Sequence, residues 1–219
     1  MKRLIVLTAL AAVALGGCTG LGTLKQASKP NDLYQLTPKS TFSASLPRIQ
    51  QQIVVEEPTA TAAVNTDQIA IQPTALQVQY LPRARWVDRA PLFVQSLLVE
   101  SYENTNKVAA VGRSTVGLRA DYIVVPDLRE FQGHVVGETQ NSKTVQIKVR
   151  LNIKIIDSYE DKIIASNSFE ENVVSTSDQT PDLVMAFDEA LGDTMRDSVE
   201  WSIRKIYVHS RNNPRSSIN

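Results

Sequence analysis

The chain has 219 residues, of which 42% are apolar and 21% are charged, a composition typical of globular rather than disordered proteins. This length is enough for one sizeable domain with a hydrophobic core. Lysine and arginine together number 23, as do aspartate and glutamate, so the formal net charge is zero. That balance argues against a nucleic-acid-binding protein. One cysteine and two histidines cannot form an internal disulfide and are too few for an ordinary zinc site.

The first 17 residues have the features of a secretory signal peptide. Met1–Arg3 is a basic start, and Leu4–Leu15 is apolar except for Thr8. This apolar run is too short to span a bilayer about 30 Å thick, which needs about 20 residues. Small residues follow it, as they do before a cleavage site. We therefore expect residues 1–17 to be removed from the mature protein.

The only cysteine, Cys18, stands at the expected cleavage point. The four residues that end at Cys18, Leu-Gly-Gly-Cys, resemble the bacterial lipobox. This resemblance implies that Cys18 becomes the mature N-terminus and carries three acyl chains, with palmitate as one of them. Stable anchoring takes two hydrophobic signals, so three chains imply a permanent tether. The alternative is an ordinary secretory signal with an incidental cysteine.

The mature chain is expected to be a mildly acidic periplasmic protein. Loss of Lys2 and Arg3 leaves 21 basic against 23 acidic residues, a net charge of −2. The residue after Cys18 is Thr19 rather than aspartate, which in lipoproteins of the enteric type implies sorting to the outer membrane rather than retention in the inner membrane. Residues 18–32 are predicted to be the lipidated N-terminus and a flexible linker, whose stretch from position 19 to 32 reaches about 45 Å when fully extended.

Short strands are predicted in the middle of the chain, where apolar residues alternate with polar ones or form brief runs. The predicted strands are Leu33–Leu36, Gln52–Glu57, Gln68–Gln72, Leu76–Tyr80, Val108–Val111 and Asp121–Pro126. Pro73 and Pro82 are expected to stop the third and fourth of these strands. Lys39–Ile49 and Thr59–Thr66 contain small, polar and proline residues and are predicted to be loops.

The clearest element is a long hairpin. From Thr144 to Ile155 every odd position is valine, isoleucine or leucine, and every even position is polar or basic. This alternation is typical of an antiparallel strand with one dry and one wet face. After a turn at Asp157–Asp161, Lys162–Val174 is predicted to return. Four of its residues are expected on one side of the sheet: Ile163, Ala165, Phe169 and Val173.

Two amphipathic helices complete the predicted fold. The first covers Ala90–Thr105, with Asp88 as its N-cap and a proline in its first turn. The second begins with Thr180 as its N-cap, again followed by a proline, and is expected to end near Ile206. Residues after Tyr207 are polar and are predicted to fray.

These elements predict an α+β fold. The economical arrangement is a mostly antiparallel β-sheet with the two amphipathic helices packed on one face, an α/β sandwich. We expect a single domain over residues 33–207, followed by a polar C-terminal tail at residues 208–219.

One stretch resembles a known family. In Tyr80–Asp88 a strand continues through tyrosine to tryptophan and into an amphipathic helix, which ends in Asn-Lys-Val-Ala-Ala-Val. Together with Tyr34–Leu36, the lipobox and the long hairpin, this order of elements resembles the ABC-type transport auxiliary lipoprotein family. The resemblance covers about Leu33–Ile206. It implies an accessory role in lipid traffic between the inner and outer membranes, with an Mce-domain protein, an ABC permease and an ATPase as partners.

The residues around the first helix are candidates for binding. Trp86 could contact a partner or cover a groove, although a tryptophan here is more often packed against the following helix. Arg83, Arg85 and Arg89 flank it and could meet phospholipid headgroups or an acidic partner. The alternative for the three arginines is a solvated, weakly interacting cluster.

Two further residues have ordinary structural interpretations. Trp201 lies one step off the apolar face of the second helix and is predicted to sit at its border. His134 could titrate near neutral pH. No second histidine is near it in the sequence, so we predict a loop or strand residue.

The sequence does not indicate an enzyme. Gly112–Gly117 differs by one residue from the Gly-x-Ser-x-Gly nucleophile elbow, because position 116 is valine rather than glycine. The pairs Glu56-Glu57 and Glu170-Glu171 are adjacent along predicted strands, so their carboxylates are expected to point to opposite faces. We predict no catalytic residue, no metal site and no cofactor.

Two functional hypotheses remain open from the sequence. The first is an accessory interaction protein that docks an Mce-type transporter to the outer membrane, with a homo-oligomer as a further expectation. The second is a carrier that holds phospholipid or another small apolar ligand between the helices and the sheet. An outer-membrane assembly lipoprotein of another machine is a third possibility, and only the family resemblance separates it from the first.

Overall fold

Nine strands and two helices form the described part of the chain, residues 30–114, 117 and 119–214 of the computed structural model. The strands are β1 (Asp32–Tyr34), β2 (Gln52–Val55), β3 (Thr59–Ala60), β4 (Gln68–Thr74), β5 (Gln77–Trp86), β6 (Ala110–Arg113), β7 (Tyr122–Glu138), β8 (Lys143–Asp157) and β9 (Lys162–Val174). The helices are α1 (Ala90–Asn104) and α2 (Thr180–Asn212). The signal peptide and Cys18 lie outside the described residues.

The sheet is organised around the longest strand, β7. On one side β7 pairs antiparallel with β8 along nearly its full length, and β8 pairs antiparallel with β9. On the other side three short strands share β7: β2, β3 and β4 each pair with it in parallel. β6 extends the sheet beyond β2, while β5 and then β1 extend it beyond β4. The predicted α+β fold with a mostly antiparallel sheet is confirmed.

The alternation predicted for the long hairpin is confirmed in β8. Its odd-numbered aliphatic side chains are buried, and they are Val145, Ile147, Val149, Leu151, Ile153 and Ile155. The even-numbered side chains lie on the opposite face and are mostly polar and part-exposed, although Asn152 is buried. Both helices cover the dry face, because Phe131 on β7 contacts Phe93 of α1 and Phe187 of α2.

The returning strand, β9, departs from the prediction at its start. Ile155 is paired with Ala165, but the next residue, Ile156, is paired with Ile163. β9 therefore carries one extra residue, Ile164, which is a β-bulge that reverses the side-chain alternation. As a result Ile163 lies on the outer face and is exposed, so its predicted place beside Ala165 on the dry side was wrong.

Of the two prolines expected to stop strands, Pro82 does not, whereas β4 ends at Thr74, one residue after Pro73. β5 continues through Pro82 to Trp86, and β7 continues through Pro126. Pro82 lies where the ladder between β4 and β5 is interrupted, since Ala70 pairs with Tyr80 and the next paired residue on β5 is Arg85. At Pro126 the edge of β7 opposite β8 lies between its ladders with β2 and β3. A proline is tolerated at such positions because no ladder hydrogen bond is lost there.

The helix ends also differ from the sequence prediction. Arg89 and Gln179 occupy the N-cap positions, not Asp88 and Thr180, and neither makes a side-chain capping hydrogen bond. The prolines do lie in the first turns, as expected.

The second helix runs past Ile206 to Asn212, so part of the predicted polar tail is helical. Contacts fix this extension: the Tyr122 hydroxyl lies 2.9 Å from Nδ1 of His209, and Arg211 donates to the Tyr207 hydroxyl. These polar side chains anchor the last turns, which is why an apolar pattern alone placed the helix end too early.

The connection between β1 and β2, residues 35–51, has no regular structure but belongs to the core. Leu36, Leu46 and Ile49 are all buried. The backbone of Lys39 joins this connection to α1, since its N–H donates to Ser101 Oγ and its carbonyl accepts from Asn104. This segment therefore lies beside the helices as a fixed part of the fold.

Candidate functional site

The space between the helices and the sheet is filled by an aromatic cluster centred on Trp86. This tryptophan is 1% exposed. Its ring centroid lies 5.5 Å from Phe93, 5.4 Å from Phe131 and 5.2 Å from Phe187, distances typical of favourable aromatic pairs. β5, β7 and both helices each contribute one ring. The structural interpretation of Trp86 is confirmed, and the interior position offers it no contact with a partner.

Trp201 also has a structural place. It is part-buried on α2, and its ring packs edge-on against Phe169 of β9 at a centroid distance of 5.5 Å. This agrees with the prediction that it sits at the border of the apolar face.

The three arginines near α1 do not form one binding cluster. Arg85 pairs with Asp67 at 2.9 Å, and Arg89 pairs with Glu57 at the same distance. Arg83 is exposed in the interrupted part of β5 and has a φ of 58°, an unusual conformation for a residue with a side chain. Arg83 is thus the one of the three that forms no ion pair with a described residue.

The most exposed regular element is the outer part of the β4–β5 hairpin, residues 74–82, which we call the hairpin tip. Leu76 in its turn is 100% exposed, and Val78 and Tyr80 are more than one-third exposed. β1 covers the outer edge of β5 only from Ala84 to Trp86. Within the described ranges, the edge along the hairpin tip has no partner strand, so its backbone groups are open to another molecule.

This surface was not predicted from the sequence, although a signal was present. From Gln68 to Pro82 the chain contains no charged residue. The alternation correctly predicted two strands there, but it did not show that the second strand would lie at an edge. Exposure depends on which strand pairs with which, and a single sequence does not fix that.

An open groove of about 320 Å³ lies at the base of the hairpin tip. Its apolar lining includes Ile71, Leu81, Val135, Val145 and Leu183. β4 and β7 approach closely here because Gly133 has no side chain: a Cβ at this position would lie 2.7 Å from Ile71 Cδ1. The groove therefore lies where β4 of the hairpin packs closely against β7 of the sheet.

The wet face of the long hairpin carries an internal network of charges. Arg150 on β8 pairs with Glu130 at 2.8 Å, and Lys148 pairs with Glu170 at 3.1 Å. Burial raises the pKa of Glu170, but hydrogen bonds from Asn172 and Lys148 and the nearby cations outweigh it, so this pKa lies below its ordinary value. The charges of this face thus pair with one another, while three buried atoms on it have no hydrogen-bond partner among the described residues: His134 Nε2, Arg150 Nε and Asn152 Oδ1.

His134 lies on the same face, in β7 opposite Gln146, as a strand residue. Burial lowers the pKa of His134 below its ordinary value. The imidazole is therefore neutral near pH 7, and nothing in the described ranges places a second histidine beside it.

The opposite end of the sheet contains an open, polar depression of about 690 Å³. Two carboxylates in its lining serve the backbone: Asp121 accepts the N–H of Gln52 at 2.8 Å, and Asp157 accepts that of Tyr159 at 2.8 Å. These contacts close turns and link strands, so we assign them a structural role.

The residues tested for chemistry do not converge on a site. Glu170 pairs across the wet face with Arg150, whereas Glu171 follows on the opposite face, as predicted. Glu56 and Glu57 lie after the end of β2, so their expected position within a strand was wrong. Val116 lies outside the described residues. Across 30–114 and 119–214, no three potential metal ligands come together.

Neither helix of the described chain is both long and apolar enough to cross a membrane.

The architecture is thus that of a filled α+β domain with an exposed hairpin, and comparison with known proteins gives its family. A model of the family described as the ABC-type transport auxiliary lipoprotein component matches residues 34–197. The chain belongs to this family, which confirms the resemblance found in the sequence. Proteins of this family are membrane-anchored periplasmic lipoproteins associated with ABC transporters.

Solved structures and a sequence relative are also similar to this chain. A crystal structure of a protein from Xanthomonas campestris is similar with a TM-score of 0.76 and 26% identity, over 82% of this chain and 99% of that one. A second crystal structure, of an uncharacterized protein, has a TM-score of 0.59 at 12% identity, over 81% of this chain and 99% of that one, and shows the fold alone.

The sequence relative is an uncharacterized protein of Bradyrhizobium diazoefficiens that is 25% identical over 170 residues. The match covers 78% of this chain but only 44% of that protein, so the chain spans less than half of its relative's length.

Proposed function

We propose that the protein is a non-catalytic accessory component of an Mce-type ABC transporter that moves phospholipids or other lipids between the inner and outer membranes. The family match over residues 34–197 is the observation that carries this proposal. Its partners are an Mce-domain protein, a permease and an ATPase. A ring-shaped partner would favour self-association of this chain with matching symmetry.

The packing of the core favours an accessory protein over a carrier. A carrier with its cargo between the helices and the sheet needs an apolar cavity of several hundred Å³ there. That space is instead occupied by Trp86, Phe93, Phe131 and Phe187, whose neighbouring ring centroids lie 5.0–5.8 Å apart. The domain contributes surfaces and a tether rather than an internal binding chamber.

The tether is part of the same proposal. Cleavage before Cys18 and acylation of its thiol and amino group would hold the domain at the periplasmic face of the outer membrane. Cys18→Ala should give a folded protein that is unprocessed or released from the membrane. Fractionation of cells that produce this variant tests the assignment, and a variant that stays membrane-bound after complete removal of the signal peptide would contradict it.

The transporter partnership is tested by gentle detergent extraction of the tagged native protein and mass spectrometry of what copurifies. We expect an Mce-domain protein with its permease and ATPase, and little bound lipid. Stoichiometric phospholipid on an otherwise solitary protein would overturn the accessory role in favour of a carrier.

A further inference from the structure

The hairpin tip and the start of the described chain lie in a defined spatial relation. β1 pairs in parallel with β5, with Asp32 beside Ala84 and Tyr34 beside Trp86. Because β5 runs from the tip into the body of the sheet, parallel pairing means that the chain reaches Asp32 from the side of the tip. β1 therefore begins on the tip side of its pairing with β5, the strand that carries the exposed apolar residues.

The linker is long enough to bring the tip and the acyl chains to one surface. Leu76 is eight residues from Ala84 along β5, which is at most about 26 Å of strand. The residues between Cys18 and Asp32 reach about 45 Å when extended. A membrane that holds the acyl chains of Cys18 can therefore touch the tip with about 20 Å of linker to spare.

The two ends of the sheet differ in chemistry. At the tip end, the turn between β4 and β5 is uncharged, and three further exposed apolar side chains lie on neighbouring elements: Val136, Val174 and Met185. At the other end, the turn between β8 and β9 has the sequence Asp-Ser-Tyr-Glu-Asp-Lys over residues 157–162, with four charged residues. The tip end also carries charge, since Glu138 and Lys143 pair at 3.5 Å beside the β7–β8 turn. An element that enters a membrane interface must avoid charge and expose apolar and aromatic groups, and of the β4–β5 and β8–β9 turns only the first meets this requirement.

We propose that the hairpin tip, residues 74–82, rests in the interfacial layer of the membrane that holds the acyl chains of Cys18. Leu76 and Val78 enter the boundary between headgroups and acyl chains, and Tyr80 lies at headgroup level, where amphipathic rings are favoured. The tip then fixes the orientation of the domain, which an acyl anchor on a flexible linker cannot do. This inference rests on the proposed acylation of Cys18.

The test uses the full-length acylated protein in vesicles of phosphatidylethanolamine and phosphatidylglycerol. Leu76→Cys places a thiol at the tip, and Glu160→Cys places one in the charged turn at the other end; both positions are exposed. Because the native cysteine is acylated, each variant has a single thiol for an environment-sensitive fluorophore. The vesicles contain lipids spin-labelled along the acyl chain, and iodide is added as an aqueous quencher.

We expect the label at position 76 to shift to shorter wavelength and to be quenched by the lipid label about threefold or more strongly than the label at position 160, since an interfacial element enters about 5–10 Å. Iodide should quench the two labels in the opposite order. Equal behaviour of the two labels on protein that floats with the vesicles would overturn the inference alone. Protection of position 76 from iodide without quenching by lipid would also overturn it, because the tip would then contact protein.

Loss of flotation itself would contradict the acylation of Cys18, and the inference with it. The flotation assay is read separately from the fluorescence, so these two failures are distinguishable.

Discussion

The connection between β1 and β2 and the β4–β5 hairpin show opposite relations between regular structure and burial. The connection has no strand or helix of its own, yet it buries Leu36, Leu46 and Ile49. The hairpin is a regular pair of strands, yet every residue from Thr74 to Tyr80 is exposed. Regularity therefore does not tell which segment belongs to the core of this domain.

The two segments differ in the groups that form hydrogen bonds with their backbones. In the connection, three acidic side chains of α2 fix an irregular chain: Asp188 accepts the N–H of Thr37, Glu200 accepts that of Ser43, and Asp193 pairs with the Lys39 ammonium at 2.8 Å. In the hairpin tip the strands satisfy each other on one side only, and the outer edge of β5 is left to solvent or to another surface. The first segment is held by side chains of α2, whereas the tip contacts the β3–β4 loop through the hydrogen bond from the Tyr80 hydroxyl to the Ala63 carbonyl, at 3.3 Å.

The largest expected effect contrasts two aromatic residues of the same strand. Trp86→Ala should lower the free energy of unfolding by about 3–5 kcal/mol, because it removes the centre of the aromatic cluster and leaves a cavity. Tyr80→Ala, six residues earlier on the exposed tip, should cost less than about 1 kcal/mol. Urea denaturation of both variants measures the difference. Similar losses of stability in the two variants would mean either that Tyr80 is packed in the core or that Trp86 is not.

A second pair compares aliphatic residues in the two regions. Ile49→Ala in the connection should cost about 2–5 kcal/mol, as for a buried aliphatic side chain elsewhere. Leu76→Ala in the tip should change stability by no more than about 0.5 kcal/mol. Thermal and urea unfolding of the two variants provide the measurement. A negligible cost at Ile49 would show that the connection is not part of the core.

A third prediction concerns the close packing around Gly133, where β4 of the hairpin meets β7 of the sheet. Gly133→Ala should destabilise the protein by about 1–3 kcal/mol, because its methyl group overpacks against Ile71 Cδ1 and Val145 Cγ1. Ile71→Val removes the nearest of these atoms and should restore part of the loss in the double variant. Additive effects of the two substitutions in a double-mutant cycle would contradict the close approach.

The smallest expected effect is the pH dependence of the stability that Asp193 contributes by holding the connection between β1 and β2. The hydrogen bond from Lys39 lowers the pKa of Asp193; burial opposes this, and Arg196 adds to it, so the folded-state pKa lies below the ordinary value. The unfolded state therefore binds more protons, and the contribution is present above about pH 4 and is lost as the pH falls further. Asp193→Asn should lower the free energy of unfolding near pH 7 by about 0.2–1 kcal/mol.

Urea titrations at pH 7 and at pH 3 measure this contribution. The difference between the native protein and Asp193→Asn should shrink at the lower pH. A difference that stays constant or grows would contradict the assigned role of the carboxylate.

The sequence predicted the elements whose pattern is local. The strict alternation of Thr144–Ile155 was sufficient to define β8, and a proline in the first turn located the start of each helix within two residues. Features set by neighbouring strands were not predictable in this way. The bulge at Ile164 and the passage of β7 through Pro126 depend on ladders that only the assembled sheet contains.

The candidate site was predicted only in part for the same reason. Proximity in sequence grouped Arg83, Arg85 and Arg89, but Asp67 and Glu57 come from other segments and pair with two of them. The buried place of Trp86 was anticipated because an amphipathic helix follows it directly. The hairpin tip required knowledge of which strand lies at the edge.

The most direct measurement of this contrast is hydrogen–deuterium exchange of the connection and the hairpin tip. We compare Cys18→Ala protein in buffer with the acylated protein in vesicles. The account predicts slow exchange of residues 37–49 in both samples, and fast exchange of residues 74–82 in buffer that slows in vesicles. Equal exchange of the two segments in buffer would contradict the account, and so would a tip whose exchange the membrane leaves unchanged.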